Sequence, residues 1–168
     1  MQEYGEVAAR FDGVPGVHAL ELNISCPNIK AGGMEFGTDP KVAGEVIGLV
    51  RKRTRLPLIP KLSPTVHSIA LFARVAEEAG ADAISLINSV PAMVIDIERR
   101  RPVLSNGMGG LTGPAIRPIA VRLVWRAGQG WRGRILASLG LVAAAVILRA
   151  PSLLEGKPAS PFLALIVA

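Results

Sequence analysis

Three residues combine chemical capability with position. Cys26, the only cysteine of the chain, stands in "LELNISCPNIKAGGMEFGTDP" (20–40), between a short apolar run and a glycine-rich loop. A free thiol has a pKa of about 8.5, so modest help from its surroundings lets it take up a proton near neutrality. Lys61 lies at the end of the apolar run in "LPLIPKLS", and Asn88 at the end of "ADAISLINS". A lysine can neutralise developing negative charge, and an amide offers both a donor and an acceptor. Singly, each has a plainer explanation: a small buried hydrophobe, a snorkelling surface lysine, a strand-end amide. Together they point to a common polar ligand, because a polar group at the end of an apolar strand is costly to bury unless paired.

The elements that must position these residues follow from periodicity and punctuation. Residues 2–11 have the spacing of an amphipathic helix, closed by "DGVPG", and "HALELNIS" reads as a short buried strand. After the glycine-rich loop, Thr38 or Asp39 can cap a helix with Pro40 in its first turn, and Val42, Val46, Ile47 and Val50 recur at helical spacing. "LPLIPKLS" is the next strand, "TVHSIALFARVAEEAG" a helix stopped at Gly80, and "ADAISLINS" a third strand. A loop is expected over 90–113, then a helix beginning at Pro114. Strand and helix alternating at this cadence predict parallel β/α units, in which chemistry sits just past the C-terminal strand ends. Cys26, Lys61 and Asn88 all occupy that position.

Composition narrows the function classes. With 168 residues, half of them hydrophobic and 19% charged, the chain has the make-up of a globular domain with a real core. One cysteine allows no internal disulfide, and Glu3, Glu6, Arg10 and Asp12 interrupt any signal-peptide apolar region, so a reducing, cytoplasmic setting is expected. The net charge of +6 is unevenly placed: acids and bases balance over 1–113, and the excess lies in 114–168, where Glu155 is the sole acid. "RKRTR" (51–55) ends a predicted helix, where cations suit the helix dipole, and "ERRRP" (98–102) has no interleaved aromatics for base stacking, so no nucleic-acid partner is expected. The apolar run 135–148 falls short of the roughly 20 residues that span a bilayer, so no membrane partner is expected either. His18 and His67 read as surface or packing residues.

The motifs "ELNISCPN", "GGMEFGTDP", "PKLSP", "SLINS" and "RRPVLSNGMGGLTGPAIRP", in that order, resemble the dihydroorotate dehydrogenases, and more narrowly their cytosolic NAD-linked class. The resemblance runs from about residue 2 to residue 126 and implies the central β/α units of a TIM (β/α)8 barrel. It also implies oxidation of (S)-dihydroorotate to orotate in pyrimidine (UMP) biosynthesis, the hydride passing to FMN. Cys26 matches the family's catalytic base. Asn23, Asn28, Asn88 and Ser89 match positions that bind the substrate, and Asn23, Lys61, Ile87 and Gly113 match positions that touch FMN; no metal site is implied. "GGMEFG" resembles the loop that closes over the substrate and excludes water. In that class the catalytic subunit forms a homodimer and pairs with a subunit carrying FAD and an iron–sulfur cluster, through which electrons reach NAD. A dihydropyrimidine dehydrogenase-like domain is similar in "SCP" and "KLSP", but such domains carry histidine where this chain has Asn28 and lack "SLINS" and "RRPVLSNG".

Two departures from the family pattern set a second expectation. A whole barrel takes about 250 residues, so the resemblance implies first strands that precede Met1. From residue 127 on, the family's two phosphate-holding turns, a "GGI"-like turn and a "GT", are not found, and the segment 127–168 is basic, apolar and unlike the family. Read one base out of frame, the codons for Ser138 through Ala143 take forms that permit Val-Gly-Ile-Gly-Gly, which resembles the first of those turns. The tail is therefore expected to be out of frame, and an inactive barrel fragment stands as the alternative to the working enzyme.

Overall fold

The computed structural model describes residues 1–25, 37–131, 135–136 and 145–148. Three strands form its centre: β1 (Leu20–Asn23), β2 (Leu58–Lys61) and β3 (Ala83–Leu86), all parallel and joined through helices. Helix α1 (Gln2–Phe11) precedes β1, α2 (Pro40–Arg51) lies between β1 and β2, and α3 (Ile69–Glu78) lies between β2 and β3. The expected parallel β/α units are thus present.

Local chemistry sets the helix ends. The Asp39 carboxylate accepts hydrogen bonds from the backbone N–H groups of Lys41 and Val42 at 2.8 and 3.3 Å, and Pro40 occupies a first-turn position where no N–H is needed. Helix α3 starts later than the spacing predicts. The Ser63 and Thr65 hydroxyls bond each other at 2.8 Å and Ser63 Oγ accepts from the Thr65 N–H at 3.3 Å, a local turn that competes with helix until Ser68 caps it. Gly80 then ends the segment at φ +94°, a conformation costly for any side chain. The helix expected from Pro114 begins as a 3-10 turn (Pro114–Ile116) and becomes α4 (Arg117–Gly128) only afterwards. Pro118 has no N–H to complete the α-helical bond to the Pro114 carbonyl, which accepts from Arg117 instead.

The sheet has two unlike faces. Leu22, Leu58, Ile84 and Leu86 are buried on the face that packs against Val46, Ile47 and Val50 of α2, Phe72 and Ala73 of α3, and Leu123 of α4. The other face carries Glu21, Asn23, Ile59, Lys61, Ala83 and Ser85, since side chains alternate along a strand and paired residues share a face.

Arg51 shows what the first basic cluster does. Its guanidinium donates to Asp82 Oδ2 at 2.9 Å, to the Leu56 carbonyl at 3.0 Å and to the Thr54 carbonyl, while Asp82 Oδ2 also accepts from the Leu58 N–H at 2.9 Å. This ties the end of α2 to the starts of β2 and β3. Asp82→Ala leaves the fully buried Leu58 without its side-chain acceptor, and a loss of about 1–3 kcal/mol in unfolding free energy is expected from urea titration.

Two stretches differ from the sequence expectation. The 90–113 segment forms two short antiparallel ribbons, β4 (Val90–Ala92) with β7 (Gly109–Leu111) and β5 (Ile95–Asp96) with β6 (Arg101–Pro102). Asp96 Oδ1 accepts from the N–H groups of Glu98 and Arg99 at 3.1 and 3.0 Å, and this Asx-type turn folds the loop back on itself. In the tail, β8 (Ile135–Leu136) and β9 (Ala145–Leu148) form an antiparallel pair, and β9 runs antiparallel to β3. The next strand of a parallel β/α series would run the other way. Main-chain pairing is largely indifferent to side-chain identity, so an apolar run can occupy the free edge of a buried strand. Among the described residues the sheet is open, in the order β1-β2-β3-β9-β8.

Candidate active site

The parallel registers bring three polar residues into one row. Asn23 pairs with Lys61, and Lys61 pairs with Ser85, so one residue from each strand stands side by side on the face away from the helices. Lys61 Nζ donates to Glu21 Oε1 at 3.0 Å, and these side chains are 24% and 27% exposed. The strands place this polar patch because the alternate positions, Leu22, Leu58, Ile84 and Leu86, are committed to the helix-covered face, while the patch shares its own face with Ile59 and Ala83.

Asn23 and Asn88 fix the strand ends. Asn23 Oδ1 accepts from the Ser25 N–H at 3.3 Å and from Ser25 Oγ at 3.0 Å, and the Asn23 carbonyl accepts from the Tyr4 hydroxyl at 3.2 Å. Asn88 Nδ2 donates to the Ser25 carbonyl at 2.9 Å, its own N–H donates to the Leu62 carbonyl at 3.3 Å, and its Oδ1 accepts from the Ser89 N–H at 3.0 Å. Asn88 therefore joins the end of β3 to the residue immediately before Cys26. Half of its hydrogen-bonding capacity serves this link, leaving one amide hydrogen and one lone pair for a ligand.

Ile87 follows β3 and is 7% exposed. Ser89 lies against Gly110 of β7, where an added Cβ would meet Ser89 Cβ at 2.6 Å, so the ribbon closes over Ser89 only because position 110 is glycine. Gly113, at φ +81°, is exposed, and a Cβ built on it meets no atom within 4 Å. Cys26, Asn28 and the "GGMEFG" loop as far as Phe36 lie outside the described residues. His18 and His67 are exposed.

Glu21 and Ser85 join the site without having been singled out from the sequence. The signal was available in the period-two alternation of "LELN" and "SLIN", which puts Glu21 on the face of Asn23 and Ser85 on that of Lys61 once the register is known. An apolar cavity of about 450 Å³ lies beside the patch, between α1 and the free edge of β1, lined by Tyr4, Val7, Phe11, Leu22 and Asn23 among others. Among the described residues no three His, Cys, Asp or Glu side chains cluster as metal ligands, and no helix is long and apolar enough to cross a membrane.

Comparison with known proteins follows the same residues. The dihydroorotate dehydrogenase family model matches residues 1–143. A protein of Geobacter sp. (strain M21), named dihydroorotate dehydrogenase B (NAD(+)), catalytic subunit, is 58% identical over 129 residues, 77% of this chain and 42% of the relative. The protein of the same name from Citrifermentans bemidjiense is 60% identical over 126 residues, 75% of this chain and 41% of its own length. That of Desulforudis audaxviator is 55% identical over 144 residues, 86% of this chain and 47% of its own length. The chain thus spans less than half the length of these relatives.

Proposed function

The chain belongs to the dihydroorotate dehydrogenase family, and on that premise we propose that it carries the central part of a β/α barrel that oxidises (S)-dihydroorotate to orotate. The proposed electron acceptor is FMN, and the proposed setting is de novo pyrimidine biosynthesis in the cytoplasm. The observation that carries this is the row Asn23, Lys61 and Ser85, an amide, a cation and a hydroxyl at matched register on the face opposite the helices.

These residues fit a flavin chemically. An isoalloxazine presents a polar pyrimidine edge and an apolar body. The row offers a cation and donors for the edge, while Gly113 offers a backbone that a flat ring can approach, because the space a Cβ would fill meets no atom within 4 Å. When bound, FMN supplies the hydride acceptor. Everything else falls to the chain's own side chains.

Cys26, as thiolate, takes the proton from C5 of the substrate. Asn28, Asn88 and Ser89, with Asn23, hold the alternating N–H and C=O groups of the ring and its carboxylate; Asn88 does so with the capacity left after its bond to Ser25. Lys61 and Asn23 would hold the cofactor's pyrimidine end, and Ile87 and Gly113 would contact its ring through their backbones. A homodimer and a separate FAD and iron–sulfur subunit leading to NAD complete the proposed assembly; the relatives' names, with "NAD(+)" and "catalytic subunit", support a partner subunit.

The purified 168-residue chain tests this directly. Bound flavin absorbance that bleaches on adding dihydroorotate is the expected result. Colourless protein after incubation with FMN instead makes this chain a non-catalytic fragment of the family. The tail has its own test: we propose that the segment from about residue 127 is read out of frame, so sequencing the gene should show a glycine pair encoded one base over, across Leu141 to Ala143. Any other codons there would remove the idea.

A further inference from the structure

We propose that Ser85 is a further cofactor-facing residue, its hydroxyl hydrogen-bonding the pyrimidine edge of the flavin beside the group that Lys61 holds; this rests on the assignment of the polar face to FMN. Two independent observations lead to it. Ser85 is the register partner of Lys61, so adjacent strands about 4.8 Å apart present the two side chains on one face. Ser85 is also 1% exposed, and its Oγ has no hydrogen-bond partner among the described residues.

A hydroxyl buried in that way is unfavourable, because it has lost water and gained nothing. Among the described residues Trp131 Nε1 is also buried without a partner, but Trp131 belongs to the apolar cluster with Leu123, Val124 and Ala127. Ser85 is different. Its neighbours along β3, Ile84 and Leu86, belong to the helix-side core, whereas Ser85 shares the opposite face with Lys61 and Asn23. Alanine, as at Ala83 two residues earlier on the same face, would fill such a position without the desolvation cost.

A hydroxyl offers one donor and two acceptor lone pairs, so it can serve either an N–H or a C=O of the flavin edge. A cation alone fixes charge but not orientation. With Lys61 on one strand and Ser85 on the next, two separate points of that edge are held, and the ring can no longer turn about the ammonium.

The test compares the wild-type chain with Ser85→Ala and Ser85→Thr by two readouts: FMN affinity from quenching of flavin fluorescence, and the urea midpoint of the flavin-free protein. For Ser85→Ala we expect FMN affinity to fall about five- to tenfold while the flavin-free midpoint stays level or rises, since the hydroxyl removed had no partner. Ser85→Thr, which keeps the hydroxyl, should bind within about twofold of wild type. A merely structural serine would give the opposite sign, a lowered midpoint in the alanine variant, and that result overturns the proposal. Unchanged FMN affinity in Ser85→Ala overturns it too, while leaving the flavin assignment of the face intact. Failure of the wild-type chain to bind FMN removes both at once.

Discussion

Cys26→Ser, made in a chain completed to the length of its relatives, is expected to slow reduction of the flavin by dihydroorotate about 10²–10⁴-fold, the usual range for loss of a positioned base, with FMN affinity unchanged. A thiol with a pKa of about 8.5 is partly ionised in mildly alkaline solution, whereas a serine hydroxyl stays protonated there and must be activated by another group. The serine variant therefore needs another group to take up the proton, which is why a large loss of rate is expected. Position matters as much as acidity. Asn88 donates to the carbonyl of Ser25 at 2.9 Å, so the residue before Cys26 is anchored to the end of β3, and the substitution leaves that anchor in place. Stopped-flow absorbance of the flavin separates the alternatives. A variant that reduces its flavin at the wild-type rate has another base, and one that loses FMN was using the thiol to build the site.

The parallel β/α order is legible in the sequence because it depends on strong local signals. Asp39 followed by Pro40 favours a helix start, and the helical spacing of Val42, Val46, Ile47 and Val50 shows which side of that helix is buried. With the helix face settled, "LELN" and "LIPK" lie with Leu20, Leu22 and Leu58 toward the helices and Glu21, Asn23 and Lys61 away from them, Ile59 being the apolar exception on that far face. The proposed roles come from the family motifs and not from periodicity: no pattern of apolar residues distinguishes Asn88 from any other strand-end amide.

What the sequence left illegible was relational. Ser85 reads as one more small residue in a buried strand until the β2–β3 register sets it beside Lys61. Glu21 reads as an ordinary strand glutamate until Lys61 Nζ is 3.0 Å from its carboxylate. The 90–113 excursion read as loop because its pairing segments are two or three residues long, below the length at which alternation can be recognised, and its order comes from the Asp96 turn. The antiparallel β9 was unreadable for another reason. Its pairing with β3 runs through the backbone, which every sequence possesses, so no side-chain pattern announces it.

Lys61→Met is expected to weaken FMN binding about ten- to hundredfold, the equivalent of one lost hydrogen bond to a charged group, and to lower the reduction potential of whatever flavin remains. Methionine keeps the apolar stem and removes only the cation, so the strand should persist. The pairing with Glu21 complicates a simple reading of this variant. The Glu21 carboxylate is 27% exposed and loses its counter-charge, so part of any loss reflects a half-buried anion left beside an electron-rich ring. For the flavin-free protein that penalty is small, under about 1 kcal/mol, because water still screens the pair. Adding Glu21→Gln to Lys61→Met separates the contributions. If Lys61 meets the flavin directly, the double variant binds FMN as poorly as the single one and its potential stays low. If Lys61 serves only to neutralise Glu21, the double variant recovers both affinity and potential, and Lys61 moves from the cofactor's contacts to the scaffold behind them.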